Sequence, residues 1–195
     1  MFKKLALSLS IALMPQVLFG AKPTTTLQEI QDYLNQTRSM EAPFEQISPN
    51  GQNRLGTFKL LKPGKLLLTY NKSKDKIFTH NGIMYFSNGN PQDLTQTQLD
   101  QTIADVLISE FIILDHPDIL VGPFEDDGQR VSLTVKKRGM EEAGTMTMVF
   151  QKSPLRFIQW KIIDAQGQKT IVNLKGLKEN SFKHLDTNPQ FLVKN

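Results

Sequence analysis

Side chains able to do chemistry are few and scattered in this 195-residue chain. It has no cysteine, which excludes a disulfide framework, a thiolate metal site, a thiol nucleophile and a lipid-modified Cys. Its three histidines, His80, His116 and His184, are isolated from one another and form no HExxH-type pair. Three acidic pairs remain as candidates for carboxylate chemistry: Glu41/Glu45, Asp126/Asp127 and Glu141/Glu142. Each sits beside a Pro, a Gly or a turn signal, where solvated charge is the ordinary expectation, and nothing pairs them with a base or a metal. The chain also lacks a GxSxG elbow, a P-loop and a GxGxxG loop. These absences argue against an enzyme, and no catalytic residue, metal or cofactor is expected. A hydrolase built on one of the acidic pairs is the enzymatic rival.

The first 21 residues, MFKKLALSLSIALMPQVLFGA, carry Lys3 and Lys4 before a short apolar run from Leu5 to Met14. Pro15 breaks that run, and Gly20–Ala21 supplies small residues for cleavage, the pattern of an export signal. The run is too short to span a bilayer, which needs about 20 residues. An uncleaved N-terminal anchor is the other reading. Loss of Lys3 and Lys4 with this segment lowers the formal net charge from +4 to +2, which removes the main support for nucleic-acid binding. The reading divides the chain into a signal peptide at 1–21 and one domain at 22–195.

That domain opens with Thr26-Leu-Gln-Glu29, a capping box. Leu27, Ile30, Leu34, Thr37 and Met40 follow at three- and four-residue spacing, which predicts an amphipathic helix over 26–39. After Pro43 the period changes to two. Phe58 and Leu60, Leu66, Leu68 and Tyr70, Val131, Leu133 and Val135, Met146, Met148 and Phe150, Ile158, Trp160 and Ile162, and Val172 and Leu174 each mark one face of a strand. Turn signals such as Asn50-Gly51, Pro63-Gly64 and Asn81-Gly82 separate the runs. The segment 102–114 is the exception and reads as a short helix, although Phe111 to Leu114 also suits a strand. The total is nine to eleven strands and two or three helices. An antiparallel meander of that length curls into a closed or half-closed barrel. The amphipathic helix needs an apolar surface to lie on and can cover the barrel's mouth or concave face.

Apolar and flexible side chains are in surplus, with 12 Phe and 7 Met. Several strands are apolar on both faces, as in Leu66-Leu67-Leu68 and Ile162-Ile163. One reading packs the first face in the core and the second under the helices. The other is a barrel interior that its own side chains do not fill, lined for an apolar ligand. On that reading Phe58, Leu60, Leu66, Leu68, Tyr70, Met84, Met146, Met148, Phe150, Trp160 and Ile162 line the cavity. Leu27, Ile30, Leu34 and Met40 then form the inner face of a lid.

The order of motifs from residue 41 onward resembles the periplasmic outer-membrane lipoprotein carriers of the LolA type. The residues that carry the resemblance are Phe44-Glu45-Gln46, Gly56-Thr57-Phe58-Lys59-Leu60, Lys62-Pro63-Gly64-Lys65 leading into Leu66 to Tyr70, Asn81-Gly82-Ile83-Met84-Tyr85, Asp164 to Thr170, and the tail from Phe182 to Pro189. The resemblance implies a mainly β (α+β) fold, an antiparallel unclosed β-barrel capped by two or three helices. It implies a carrier in the periplasm that shelters lipoprotein acyl chains between the inner and outer membranes. Its implied partners are an inner-membrane ABC-type releasing complex (LolCDE type) and an outer-membrane receptor (LolB type), and a monomer is expected. Lys62 stands where the family has an arginine tied to holding the lid closed and to transfer, so the resemblance assigns it the lid and transfer switch. Leu66 or Leu68 stands where the family usually has an aromatic. A regulatory or sensor module of the same fold, which binds lipid or a partner and transports nothing, is the alternative.

Overall fold

The structure, a computed structural model, describes residues 25–193. The expected signal peptide at 1–21 lies outside these residues. The described chain begins with helix α1 (Leu27–Gln36), then runs as a meander through β1 (Ser39–Ile47), β2 (Asn53–Leu61), β3 (Lys65–Tyr70), β4 (Lys76–His80), β5 (Ile83–Ser87) and β6 (Thr95–Gln98). A short helix, α2 (Ala104–Ile108), leads to a second meander of β7 (Ile119–Asp126), β8 (Arg130–Lys137), β9 (Thr145–Lys152), β10 (Leu155–Ile163) and β11 (Lys169–Leu174). The two-residue strand β12 (Lys178–Glu179) and the short helix α3 (Pro189–Leu192) follow.

All the strands belong to one antiparallel sheet, in the order β6-β5-β4-β3-β2-β1-β11-β10-β9-β8-β7, with β12 added beside β1. The outermost strands, β6 and β7, do not pair, so the barrel is unclosed. The fold is the expected one, with twelve strands where nine to eleven were read. Alternation works as predicted in β8 and β9: Val131, Leu133, Val135, Met148 and Phe150 are fully buried, while the residues between them face outward.

Three local readings are corrected. The first helix ends at Gln36 rather than 39. Its capping box is present, with Glu29 N–H donating to Thr26 Oγ1 at 3.2 Å and Thr26 N–H to Glu29 Oε2 at 2.7 Å. At the other end, Thr37 turns extended and Asn180 Oδ1 accepts from Arg38 N–H at 2.7 Å. The chain is thereby drawn into β1, and Met40 is a strand residue paired with Leu60, not part of the helix. Pro43 does not mark a boundary either; it lies inside β1. A proline is tolerated there because its missing N–H falls where β1 changes neighbour, from β11 at Phe44 to β12 at Glu41.

The second correction concerns 102–114, where only Ala104–Ile108 is helical. The following residues bend back along α1 without regular structure: Asn35 bonds both the N–H and the carbonyl of Ile112, at 2.8 and 2.9 Å, and Gln31 accepts from Leu114 N–H at 2.8 Å. The third is in β10. The register against β9 shifts between Phe157 and Gln159, so Ile158 is the extra residue of a bulge. Phe157, fully buried, takes the inward place that alternation gave to Ile158.

Candidate functional site

The two helices divide the concave face. At one end α1 packs directly on the sheet. Ile30 and Leu34 are fully buried in the same cluster as Leu60, Met148 and Phe150, and Tyr33 meets the Phe150 ring edge-on at 5.8 Å. Burial of two such side chains contributes about 1.5–3 kcal/mol each, enough to hold a ten-residue helix that would be marginal alone. At the other end α2 spans the concave face without filling it. A cavity of about 390 Å³ remains between α2 and the strands. Its walls include Phe58, Leu66, Leu68, Met84, Met146, Trp160 and Ile162 from the sheet, with Ile103, Leu107 and Ile108 from the α2 segment. Gln46, Thr97, Gln101, Thr102, Glu142 and Thr170 add its polar members.

Seven of the residues expected to line a cavity therefore do so. Leu60, Met148 and Phe150 are instead fully buried in the core, Phe150 against Tyr33 of α1. Tyr70 lies just outside the cavity, its hydroxyl donating to Gln46 Oε1 at 2.7 Å. Burial pushes the Tyr70 pKa up, opposed by the neighbouring Arg54 guanidinium. Leu27, Ile30, Leu34 and Met40 do not line the cavity; the first three pack against or within the core and Met40 lies in β1. The covering element is the α2 segment, which the expectation did not name. Its signal was present as Ile103 and Leu107, four residues apart on one helical face.

Lys62 is 4% exposed. Its Nζ donates to the Leu34 carbonyl at 2.7 Å, one of the four carbonyls left unpaired by the end of α1. Its own N–H donates to the Arg38 carbonyl at 2.8 Å. Two residues on, Gly64 N–H donates to the Ile108 carbonyl at the end of α2, also at 2.8 Å. The β2–β3 turn thus holds both helices. Burial lowers the Lys62 pKa to about 8, helped by the nearby charge of Arg38. The partial negative charge at the C-terminus of α1 favours the protonated form.

α1 has further polar fastenings. Tyr33 OH donates to Glu179 and accepts from Phe157 N–H at 2.9 Å; burial pushes its pKa up, reinforced by that carboxylate. Members of two of the acidic pairs form ion pairs with lysines, and Glu142 lines the cavity. Glu41 pairs with Lys59 at 3.0 Å, Glu45 with Lys175 at 3.4 Å and Asp126 with Lys152 at 2.6 Å. The Lys152 ammonium bonded to Asp126 holds its carboxyl below the usual range. Among the described residues no group of three or more His, Asp or Glu side chains is placed to hold a metal ion. No described helix is long and apolar enough to cross a membrane.

The sequence profile of one family, outer membrane lipoprotein carrier protein LolA, matches residues 35–186, well over half of the chain. A comparison with curated proteins gives no match. Among solved structures, a domain from Vibrio parahaemolyticus named for outer membrane lipoprotein sorting is 13% identical, with a TM-score of 0.49, and the match covers 86% of this chain and 97% of that one. A DUF1329 family protein from Desulfovibrio piger is 11% identical, with a TM-score of 0.47, over 80% of this chain and 91% of that one. A LolA superfamily protein from Nitrosomonas europaea is 9% identical, with a TM-score of 0.41, over 82% and 96%.

Proposed function

The chain belongs to the LolA family of outer membrane lipoprotein carrier proteins, and on that premise we propose that it is a non-enzymatic carrier of acylated cargo in the periplasm. It takes the acyl chains of lipoproteins from an inner-membrane ABC-type complex of the LolCDE kind and delivers them to an outer-membrane receptor of the LolB kind. The observation that supports this most is the apolar cavity beneath α2. Each acyl CH₂ exposed to water is unfavourable by about 0.8 kcal/mol, so a multi-chain lipid does not cross an aqueous compartment unaided. A binding site for it needs apolar walls and a way to open, and no covalent step.

The cavity's volume, about 390 Å³, lies at the small end of the roughly 300–1,000 Å³ typical of ligand sites. A multi-chain cargo therefore requires α2 to move outward, and α2 is the lid in this reading. Met84 and Met146 in the walls supply side chains that adapt to different chain positions. Lys62 and Gly64 hold the closed form, because the turn that carries them grips the ends of both helices.

Depletion of the protein in its host, followed by separation of inner and outer membranes, tests the role. The expected result is lipoproteins retained at the inner membrane. A lipoprotein distribution that does not change on depletion would instead assign the cavity to a lipid-binding module without transport.

A further inference from the structure

A second pocket, of about 350 Å³, adjoins the apolar cavity toward the Arg54 end of β2. Ile77 and Phe86 belong to the walls of both. Phe86 stands 40% exposed between them. Beyond it the lining turns polar, with Arg54, Tyr70, Asp75 and Thr95. Arg54 and Tyr70 occupy the same inward-facing rows as Phe58 and Leu68, farther along β2 and β3.

Arg54 is held there in a fixed pose. Its guanidinium lies over the Tyr70 ring, 3.8 Å from the centroid. Its Nη2 is used up by Asp75 and by Ser73 Oγ, the latter at 3.1 Å. Nε and Nη1 have no partner among the described residues. The other charges of this pocket are committed elsewhere: Asp93 accepts from Asn88 and Asn90, at 3.1 and 2.9 Å, and Lys76 Nζ donates to the Leu192 carbonyl at 2.5 Å. What remains is a set of N–H groups on a stacked cation, in a pocket that shares Ile77 and Phe86 with the apolar cavity. Charge-assisted bonds to such donors are the strong ones.

We propose that this pocket receives the polar end of the amphiphile whose chain lies in the apolar cavity, and that this end carries an anionic oxygen group bonded by Arg54. The inference rests on the reading of the apolar cavity as an acyl-chain site. The anion has two possible sources, a lipid phosphate or an acidic side chain of an acylated peptide, and both present the same chemistry to the guanidinium.

Trp160 is the chain's single tryptophan and lines the apolar cavity, so its fluorescence reports loading. Two probe pairs are titrated: dodecyl phosphate against dodecanol, and an N-palmitoyl peptide with Glu against the same peptide with Gln. The wild type should bind the anionic member of at least one pair about tenfold more tightly, the factor given by ~1.4 kcal/mol. A preference in the first pair identifies a lipid phosphate as the source, and one in the second an acidic side chain. Arg54→Gln should abolish the preference and leave binding of the neutral probe unchanged, which also shows that the variant is folded. Arg54→Lys should keep a reduced preference. Equal binding within both pairs by the wild type, or a preference that survives Arg54→Gln, overturns the inference and leaves the cavity reading intact. Failure of every probe, neutral ones included, overturns both.

Discussion

Lys62 ties the pH dependence of stability to a single buried side chain. Its ammonium is buried, with one described acceptor, the Leu34 carbonyl. Burial lowers its pKa from 10.5 to about 8. The unfolded chain keeps this proton up to about pH 10.5, whereas the folded protein gives it up near pH 8. Between those values the folded state binds fewer protons, so this group makes stability rise with pH. The cost of burying the charge is present in full below pH 8 and is relieved above it. Comparison of wild type with Lys62→Met by urea unfolding should show the wild type gaining about 1–2 kcal/mol on the variant between pH 8 and 9.5. A pH-independent difference would mean that Lys62 is solvated. In the sequence this residue was singled out only by the resemblance, at the place where the family has an arginine. Its acceptor was not, because the Leu34 carbonyl becomes available only where α1 ends, and that end is set by Asn180, 146 positions further along the chain than Leu34.

At the scale of the element, the two helices have different tasks. α1 is amphipathic, capped and buried against the sheet, and its periodicity was readable because every third or fourth side chain meets the core. The same periodicity does not tell a lid from a plug. Only the sheet's curvature and the place of α2 decide that Ile30 and Leu34 seal one end while Ile103 and Leu107 face the cavity. α2 is five residues long and is preceded by a single 3-10 turn at Leu99–Gln101 directly after β6, so its local signal was weak. An engineered disulfide between the β2–β3 turn and the end of α2 should leave a folded protein that does not load acyl chains until it is reduced. A disulfide that pins α1 to β9 should load equally in both redox states. The chain has no native cysteine to interfere. Equal loading with α2 tethered and free would remove α2 from the mechanism.

At the scale of the molecule, a single sheet leaves its two edges apart and wraps a face too large for its own side chains to fill. Alternation made that face legible residue by residue in β3, β8 and β9. It misled in β10, where the bulge at Ile158 puts both Phe157 and Trp160 inward although they are three apart. Which inward residues are core and which are cavity wall depends on what lies over them, and no strand pattern encodes that. The account places the acyl chains under α2, against Leu68 and Met146. Native mass spectrometry of the purified protein with a triacylated lipopeptide, and with the same peptide lacking its acyl chains, tests this most directly. The account predicts a one-to-one complex with the acylated peptide alone, and its loss in a folded Leu68→Glu variant, because a carboxylate buried there has no partner. A complex that forms equally without acyl chains, or that Leu68→Glu leaves unchanged, would contradict it.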